Sequence, residues 1–259
     1  MTKKLRSTTK SKLPAFIALA LLLIIWQTVS GLGFIPKYML PSPIDVLKVF
    51  FKDWAMLGSN LLVTLQEAFI GLFLGVSIGF IFAVAMDSFD VLYRALYPIL
   101  VITQTIPTVA IAPLLVLWFG YEMTPKIVLV ILVTFFPVTV GLLDGFKSVD
   151  QDAIGLMKSM GAGKTQIFRH LKFPSAMPQF FSGLRIAAAY SVVGAVISEW
   201  LGGFSGLGVY MTRVKKAFAF DKMFAVIFLI SIVSLLLMAL VDFSERKCMP
   251  YRHLHDKSK

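Results

Sequence analysis

Apolar positions along this chain come in long blocks rather than in the short alternations of a soluble domain. Six blocks stand out, at about 13–32, 61–86, 95–119, 125–143, 180–200 and 223–241. A helix rising about 1.5 Å per residue needs roughly 20 apolar residues to cross about 30 Å of hydrocarbon, and each block meets or approaches that length. The pattern predicts an all-α integral membrane protein, one domain over 1–259, with six transmembrane helices. The first block follows Lys3, Lys4, Arg6, Lys10 and Lys12. Its length and the spans behind it favour an uncleaved first helix over a signal peptide.

Two stretches between the blocks carry pattern of their own. In "FIPKYMLPSPIDVLKVFFKDW", Pro36, Pro41 and Pro43 interrupt any helix, and Val46, Leu47, Val49 and Phe50 then predict a short amphipathic one along the outer membrane surface. The loop at about 144–178 is too apolar for a plain connector. Ile154, Leu156, Met157, Met160, Ile167, Phe168, Leu171 and Phe173 recur at helical spacing, Gly161 and Gly163 interrupt them, and Pro174 and Pro178 close the pattern. The expected structure is helix, glycine turn, helix. Periodicity alone leaves two uses open for it, an elbow lying on lipid or a docking surface for a separate protein.

Composition agrees with the membrane reading: 58% hydrophobic, 15% charged and a mean hydropathy of +0.82, against about 25% charged residues in soluble domains. The net charge of +11 raises nucleic acid as a partner, but its distribution gives a simpler cause. With six spans both termini share a side. That side, with the loops at about 87–94 and 144–185, holds seventeen Lys and Arg, and the opposite loops hold eight. The positive-inside bias therefore puts both termini and the 144–178 loop in the cytoplasm, and the excess charge needs no nucleic acid. The lone Cys248 excludes an intrachain disulfide.

"GAGKT" at Gly161 to Thr165 ends like a phosphate-binding loop. A P-loop also needs a glycine five positions before the last one, where Lys158 stands, and a strand ahead of it. No segment outside the blocks is long enough for a nucleotide-binding domain, so no cofactor is expected on this chain. Catalytic constellations and metal-ligand clusters are absent from the sequence, and the His253 and His255 pair has no companion ligand. The chain is not expected to be an enzyme.

Polar groups inside the blocks are few. Thr103, Gln104 and Thr105 precede Pro107 near the middle of the third block, where a proline bends or breaks a helix. They are candidates for a translocation path, together with Glu67 in the second block; the alternative is hydrogen bonding to neighbouring helices or to freed carbonyls. Glu199 beside Trp200, at the outer end of the fifth block, reads as solvated or as a docking group. Gly71, Gly75 and Gly79, and Ala187, Ser191 and Ala195, form small-residue ridges suited to close helix packing.

"GLMKSMGAGKTQIFRHLKFPSAMP" resembles the EAA loop of binding-protein-dependent ABC importer permeases. That loop reads Glu-Ala-Ala, three residues, Gly, nine residues, Ile, one residue, Leu-Pro. Gly161 takes the Gly place, Leu171 the Ile place and Pro174 the Pro place. Gly155, Leu156 and Met157 stand at Glu-Ala-Ala, so the motif's carboxylate is missing here. "LPSP" at Leu40, "TIPTVAIAPLLVLWFG" at Thr105, "GLRIAAAYSVVGAVISEWLG" at Gly183 and "GLGVYM" at Gly206 resemble the branch that carries nitrate, sulfonates, taurine and thiamine-type pyrimidine precursors.

The resemblance implies a permease subunit in a bacterial-type cytoplasmic membrane, surrounded by lipid and paired with a second copy of itself. It also implies separate ATPase subunits carrying ATP and Mg, and an external substrate-binding protein that largely sets substrate choice. On this reading the loop is a coupling helix, with Gly161, Ala162, Gly163, Lys164, Thr165, Ile167, Leu171 and Pro174 as its coupling residues. An ion-coupled secondary transporter would favour paired intramembrane carboxylates and inverted repeats. A non-transporting scaffold is the other alternative, with the loop recruiting a different partner.

Overall fold

A computed structural model describes residues 2–33, 35–36 and 38–249, with side chains from Leu13 onward. Lys37, the basic side chains before Leu13, and the tail with His253 and His255 lie outside the described residues. The described chain is helical without strands: α1 (Thr2–Gly31), α2 (Pro43–Lys52), α3 (Trp54–Ser88), α4 (Asp90–Thr105), α5 (Thr108–Phe119), α6 (Met123–Lys147), α7 (Gln151–Ser159), α8 (Lys164–Ile167), a π-helical turn at Phe168–Lys172, α9 (Phe173–Leu201), α10 (Leu207–Lys216) and α11 (Phe220–Cys248). Five helical stretches are long and apolar enough to cross a membrane: Leu13–Gly31, Trp54–Ser88, Met123–Lys147, Lys164–Leu201 and Phe220–Cys248. The bent pair α4 and α5 makes a sixth if counted as one span.

One compact unit comprises 1–58 and 210–229. Here Ser42 caps α2, its Oγ accepting from Asp45 N at 3.2 Å and donating to Asp45 Oδ2 at 2.8 Å, with Pro43 opening the helix. The Ser42 hydroxyl holds the Asp45 carboxyl below its ordinary range. The expected amphipathic helix is present, with Val46 and Val49 buried against Ala225, Trp26 and Phe224, while Leu47 is exposed. Trp26 Nε1 donates to Pro41 O at 3.1 Å and Ser30 Oγ to Leu40 O at 2.8 Å, so the proline-rich connection is tied to α1.

The second unit, 59–209 with 230–259, is built on α3, α6 and α9. Its core holds Met86, Leu142, Leu143 and Phe146, while the closest helix contacts run along small residues and large apolar ones such as Phe73 and Ile81 are exposed on α3, as packing in lipid favours. The glycine ridge of α3 lies against α6. A Cβ on Gly71 would stand 2.5 Å from Val130 Cβ, and one on Gly79 2.9 Å from the Phe135 carbonyl. Along α6 and α9 the backbones themselves meet: a Cβ on Gly145 would lie 2.7 Å from Ala176 Cα, and one on Gly183 would overlap the Pro137 carbonyl. Ala187, Ser191 and Ala195 are all fully enclosed. Arg185 of α9 bonds Asp242 at 2.5 Å and Glu245 at 2.7 Å on α11.

Two expectations differ from the structure. The third block, expected as one span, is two helices bent by 98° between Thr105 and Thr108. Ile106 precedes a proline and is pushed to extended backbone (φ −82, ψ 121), and Pro107 follows it there (φ −61, ψ 122). Pro174 and Pro178, expected to end the loop's second helix, lie inside a helical run continuous from Lys164 to Leu201. Phe173 N–H bonds the Phe168 carbonyl, five residues back. This π turn places Pro174 in the first turn of α9, where a missing N–H leaves no broken ladder.

Candidate functional site

The 144–178 loop folds as two short helices around a turn that its sequence specifies in detail. Asp150 Oδ1 caps α7 by accepting from Asp152 N at 2.9 Å. Asp152 in the first turn and Lys158 in the last match the helix dipole. Past the C-cap Met160, Gly161 takes φ +83, a left-handed backbone that suits glycine. Gly161 N bonds Lys158 O at 2.9 Å and Ala162 N bonds Met157 O at 3.0 Å. Those two bonds form a Schellman motif, and its usual apolar contact is present because Met157 and Ala162 pack on one cluster.

Gly163 then caps α8. Its N–H donates to Gln166 Oε1 at 2.8 Å, and its carbonyl accepts from Gln166 N and Ile167 N at 3.0 Å. Lys164 and Thr165, the remainder of the "GKT", are exposed first-turn residues. Ile154 and Ile167 bury against Val149 with Leu171 beside them, which locks the two arms together. Of the expected coupling residues, Gly161, Gly163, Lys164, Thr165 and Pro174 face outward, Ala162 and Leu171 are half-buried, and Ile167 is buried.

Leu156 and Met160, 64% and 79% exposed, form an apolar pair one helical turn apart on the outer side of α7. Both belong to the helical periodicity of the loop, which by itself gives them no role. Their signal is that Ile154 and Met157 already fill the inward side, leaving these two with nothing to cover. The loop's flank is concave, a cavity of about 650 Å³ lined by Asp87, Lys147, Lys158, Lys164 and Lys172 among others. Within it Lys172 Nζ reaches Asp87 Oδ1 at 2.8 Å and Oδ2 at 3.0 Å, and the Lys147 ammonium donates to the Tyr93 hydroxyl and sits over its ring.

Thr103, Gln104, Thr105 and Pro107 are exposed at the α4–α5 break. Thr103 Oγ1 donates to Leu100 O at 2.7 Å and Thr105 Oγ1 to Ile102 O at 2.8 Å, so both hydroxyls serve their own helix, with Gln104 exposed between them. Glu67, expected with them, stands elsewhere. It is 1% exposed and receives Lys126 Nζ at 2.7 Å, with Lys126 itself 4% exposed.

Glu199, expected as a solvated or docking group, is buried, 2% exposed. Thr64 Oγ1 donates to its Oε1 at 2.7 Å and Gly208 N to its Oε2 at 2.5 Å. Leu207 N donates in turn to Thr64 Oγ1 at 2.9 Å, and Gly206 N to Asn60 Oδ1 at 2.9 Å. This polar knot joins α3, the end of α9 and the Gly206–Gly208 stretch that opens α10, at the end of α9 opposite the 144–178 loop.

The family model described as "Binding-protein-dependent transport system inner membrane component" matches residues 75–249. The chain is 39% identical over 233 residues to the formylaminopyrimidine transport permease protein ThiX of Halalkalibacterium halodurans, spanning 90% of this chain and 93% of that one. It is 32% identical over 241 residues to the taurine transport system permease protein TauC of Escherichia coli, spanning 90% and 87%. Among solved structures, the membrane chain of an amino acid ABC transporter superposes with a TM-score of 0.64 at 17% identity, over 76% of this chain and 96% of that one. The chain is a multi-pass bacterial inner-membrane transport permease and not an enzyme, and ATP hydrolysis in these systems belongs to a separate subunit. By fold, by family match and by relatives that align along nearly its whole length, this chain belongs to the binding-protein-dependent transport system inner membrane components.

Proposed function

We propose that the 144–178 loop is the EAA-type coupling element of this importer permease, seating in a cytoplasmic ATPase subunit that carries ATP and Mg. The observation that carries this reading is the Gly161 turn, which holds α7 rigidly by its inner face while Leu156 and Met160 point outward uncovered. An apolar pair framed by Lys158 and Lys164 is the composition of a protein-docking patch rather than of a linker. Movement of the patch passes to α9, which continues from α8 without a break, and to α3 through the Lys172–Asp87 pair. Both termini then lie in the cytoplasm, as the charge distribution favours, and the buried knot around Glu199 lies toward the outer side, where a substrate-binding protein would dock.

A second copy of the chain is the partner this reading gives to the exposed apolar face of α4 and α5, with lipid on the outer faces of the remaining spans. Ile102, Ile106, Val109 and Leu117 are uncovered there beside Thr103, Gln104 and Thr105. For the transported solute, the higher identity to the formylaminopyrimidine permease than to the taurine permease supports a pyrimidine precursor of thiamine over a sulfonate or nitrate.

Gly161→Val tests the coupling role in the complex of permease, ATPase and binding protein reconstituted in liposomes. A Cβ at this position meets nothing within 4 Å, so the strain of the substitution comes from the left-handed backbone. Loss of ATP-driven uptake with normal insertion is expected, and uptake at the normal rate would overturn the role. Competition between labelled formylaminopyrimidine and taurine for uptake decides the substrate.

A further inference from the structure

Two membrane spans end on one cavity. Ser88 closes the span Trp54–Ser88, Lys147 closes the span Met123–Lys147, and both line the hollow of about 650 Å³ beside the 144–178 loop. Its depth is that of a span end, where hydrocarbon gives way to headgroups. Its volume suits a small polar ligand.

The lining is unbalanced in charge. Asp87 and Lys172 neutralise each other, which leaves Lys147, Lys158 and Lys164 against the single carboxylate of Asp90. Among the described residues no carboxylate comes within salt-bridge distance of those three ammonium groups. Aromatic rings hold Lys147 instead. Tyr93 and Tyr97 stack at 4.9 Å, and Lys147 Nζ lies 3.9 Å from the Tyr93 ring centroid and 5.4 Å from that of Tyr97. One of its N–H groups goes to the Tyr93 hydroxyl, so the others remain for an acceptor. Lys158 follows Ile154 by one turn of α7, and Lys164 and Thr165 open α8, so the loop supplies the remaining positive charge.

Three ammonium groups facing one carboxylate complement a phosphate-bearing anion. Apolar surface adjoins them: Val84, Phe146 and Phe168 share the lining, and Phe89 and Val91, on either side of Asp90, are exposed. A soluble anion or an acidic protein segment gains nothing from that surface, whereas the glycerol and first acyl carbons of a lipid do. We propose that the cavity binds the phosphate-bearing headgroup of an anionic phospholipid of the cytoplasmic leaflet, held by Lys147, Lys158 and Lys164. The site uses the cytoplasmic placement given above. Lipid binding is read on the permease alone, so a failed ATPase docking and a failed lipid site are told apart.

The experiment titrates full-length permease in detergent micelles with phosphatidylglycerol or with phosphatidylcholine of the same acyl chains, and native mass spectrometry counts the bound lipid. One phosphatidylglycerol per chain is expected to bind about 10 to 30 times more tightly than phosphatidylcholine. Lys158→Gln with Lys164→Gln removes two exposed ammonium groups and should reduce that preference to about threefold or less. Arg246→Gln with Lys247→Gln removes equal charge from exposed positions at the end of α11 and should keep it. An unchanged preference in the Lys158 and Lys164 variant would overturn the site, and an equal loss in both double variants would replace it with general attraction to a basic surface. Inorganic phosphate binding the wild type as tightly as phosphatidylglycerol does would also overturn it, by giving the cavity to a soluble anion.

Discussion

Lys172 Nζ lies 2.8 Å from one carboxylate oxygen of Asp87 and 3.0 Å from the other, joining the helical run that carries the coupling loop to the far end of α3. The two residues are 85 positions apart in sequence and both are mostly shielded from solvent. Asp87→Asn should remove about 1 to 3 kcal/mol of that tie. In the assembled transporter the expected result is ATP hydrolysis that continues while uptake falls. Measuring hydrolysis and uptake on one preparation checks this, and equal loss of both would show that the pair merely stabilises the fold.

At Gly161 the left-handed backbone, rather than lack of space, sets what is tolerated. Asparagine visits that region at modest cost, whereas β-branched residues strain there by about 1 to 3 kcal/mol. Uptake should therefore survive Gly161→Asn and fail in Gly161→Val. A pair of variants with equal activity would detach the turn geometry from coupling.

Glycine to alanine changes should have opposite signs at two helical positions. Gly155 on α7 has open space around its Cα, so Gly155→Ala should raise stability by about 0.5 to 1 kcal/mol. Gly183 faces the Pro137 backbone carbonyl, which cannot rotate away as a side chain can. Gly183→Ala should cost about 1 to 3 kcal/mol through forced separation of α6 and α9. Melting temperatures of the two variants in nanodiscs compare them directly.

Changing Leu156 and Met160 together to aspartate alters exposed side chains only, so the permease should insert and melt as the wild type does. The ATPase subunit should no longer co-purify with it, because charge replaces the apolar pair at the contact. Retention of the ATPase at wild-type stoichiometry would exclude this patch as its seat.

The spans were legible because lipid-facing helices advertise themselves by length, and the small-residue ridges because close packing in lipid selects small side chains. Pro107 announced a break but not its angle, since a proline fixes its own φ and not the packing that sets the bend. Pro174 misled the reading because a π turn one residue earlier absorbs the missing donor, which pattern does not reveal. Glu199 was misplaced for a related reason. Its neighbour Trp200 signals an interface, whereas its burial comes from Gly206 and Gly208 folding back over it. The outward role of Leu156 and Met160 appears once Ile154, Ile167 and Leu171 are seen to occupy the inner face.

Cross-linking at the coupling tip tests the central claim most directly. Cys248 is the chain's single cysteine, so a Cys248→Ser background carrying Met160→Cys places one thiol on the exposed tip. With cysteines introduced around the groove of the ATPase subunit, the account predicts a specific disulfide-linked permease–ATPase product whose yield changes with ATP. No cross-link from position 160, while a cysteine placed elsewhere on the permease's cytoplasmic side links efficiently, would contradict it.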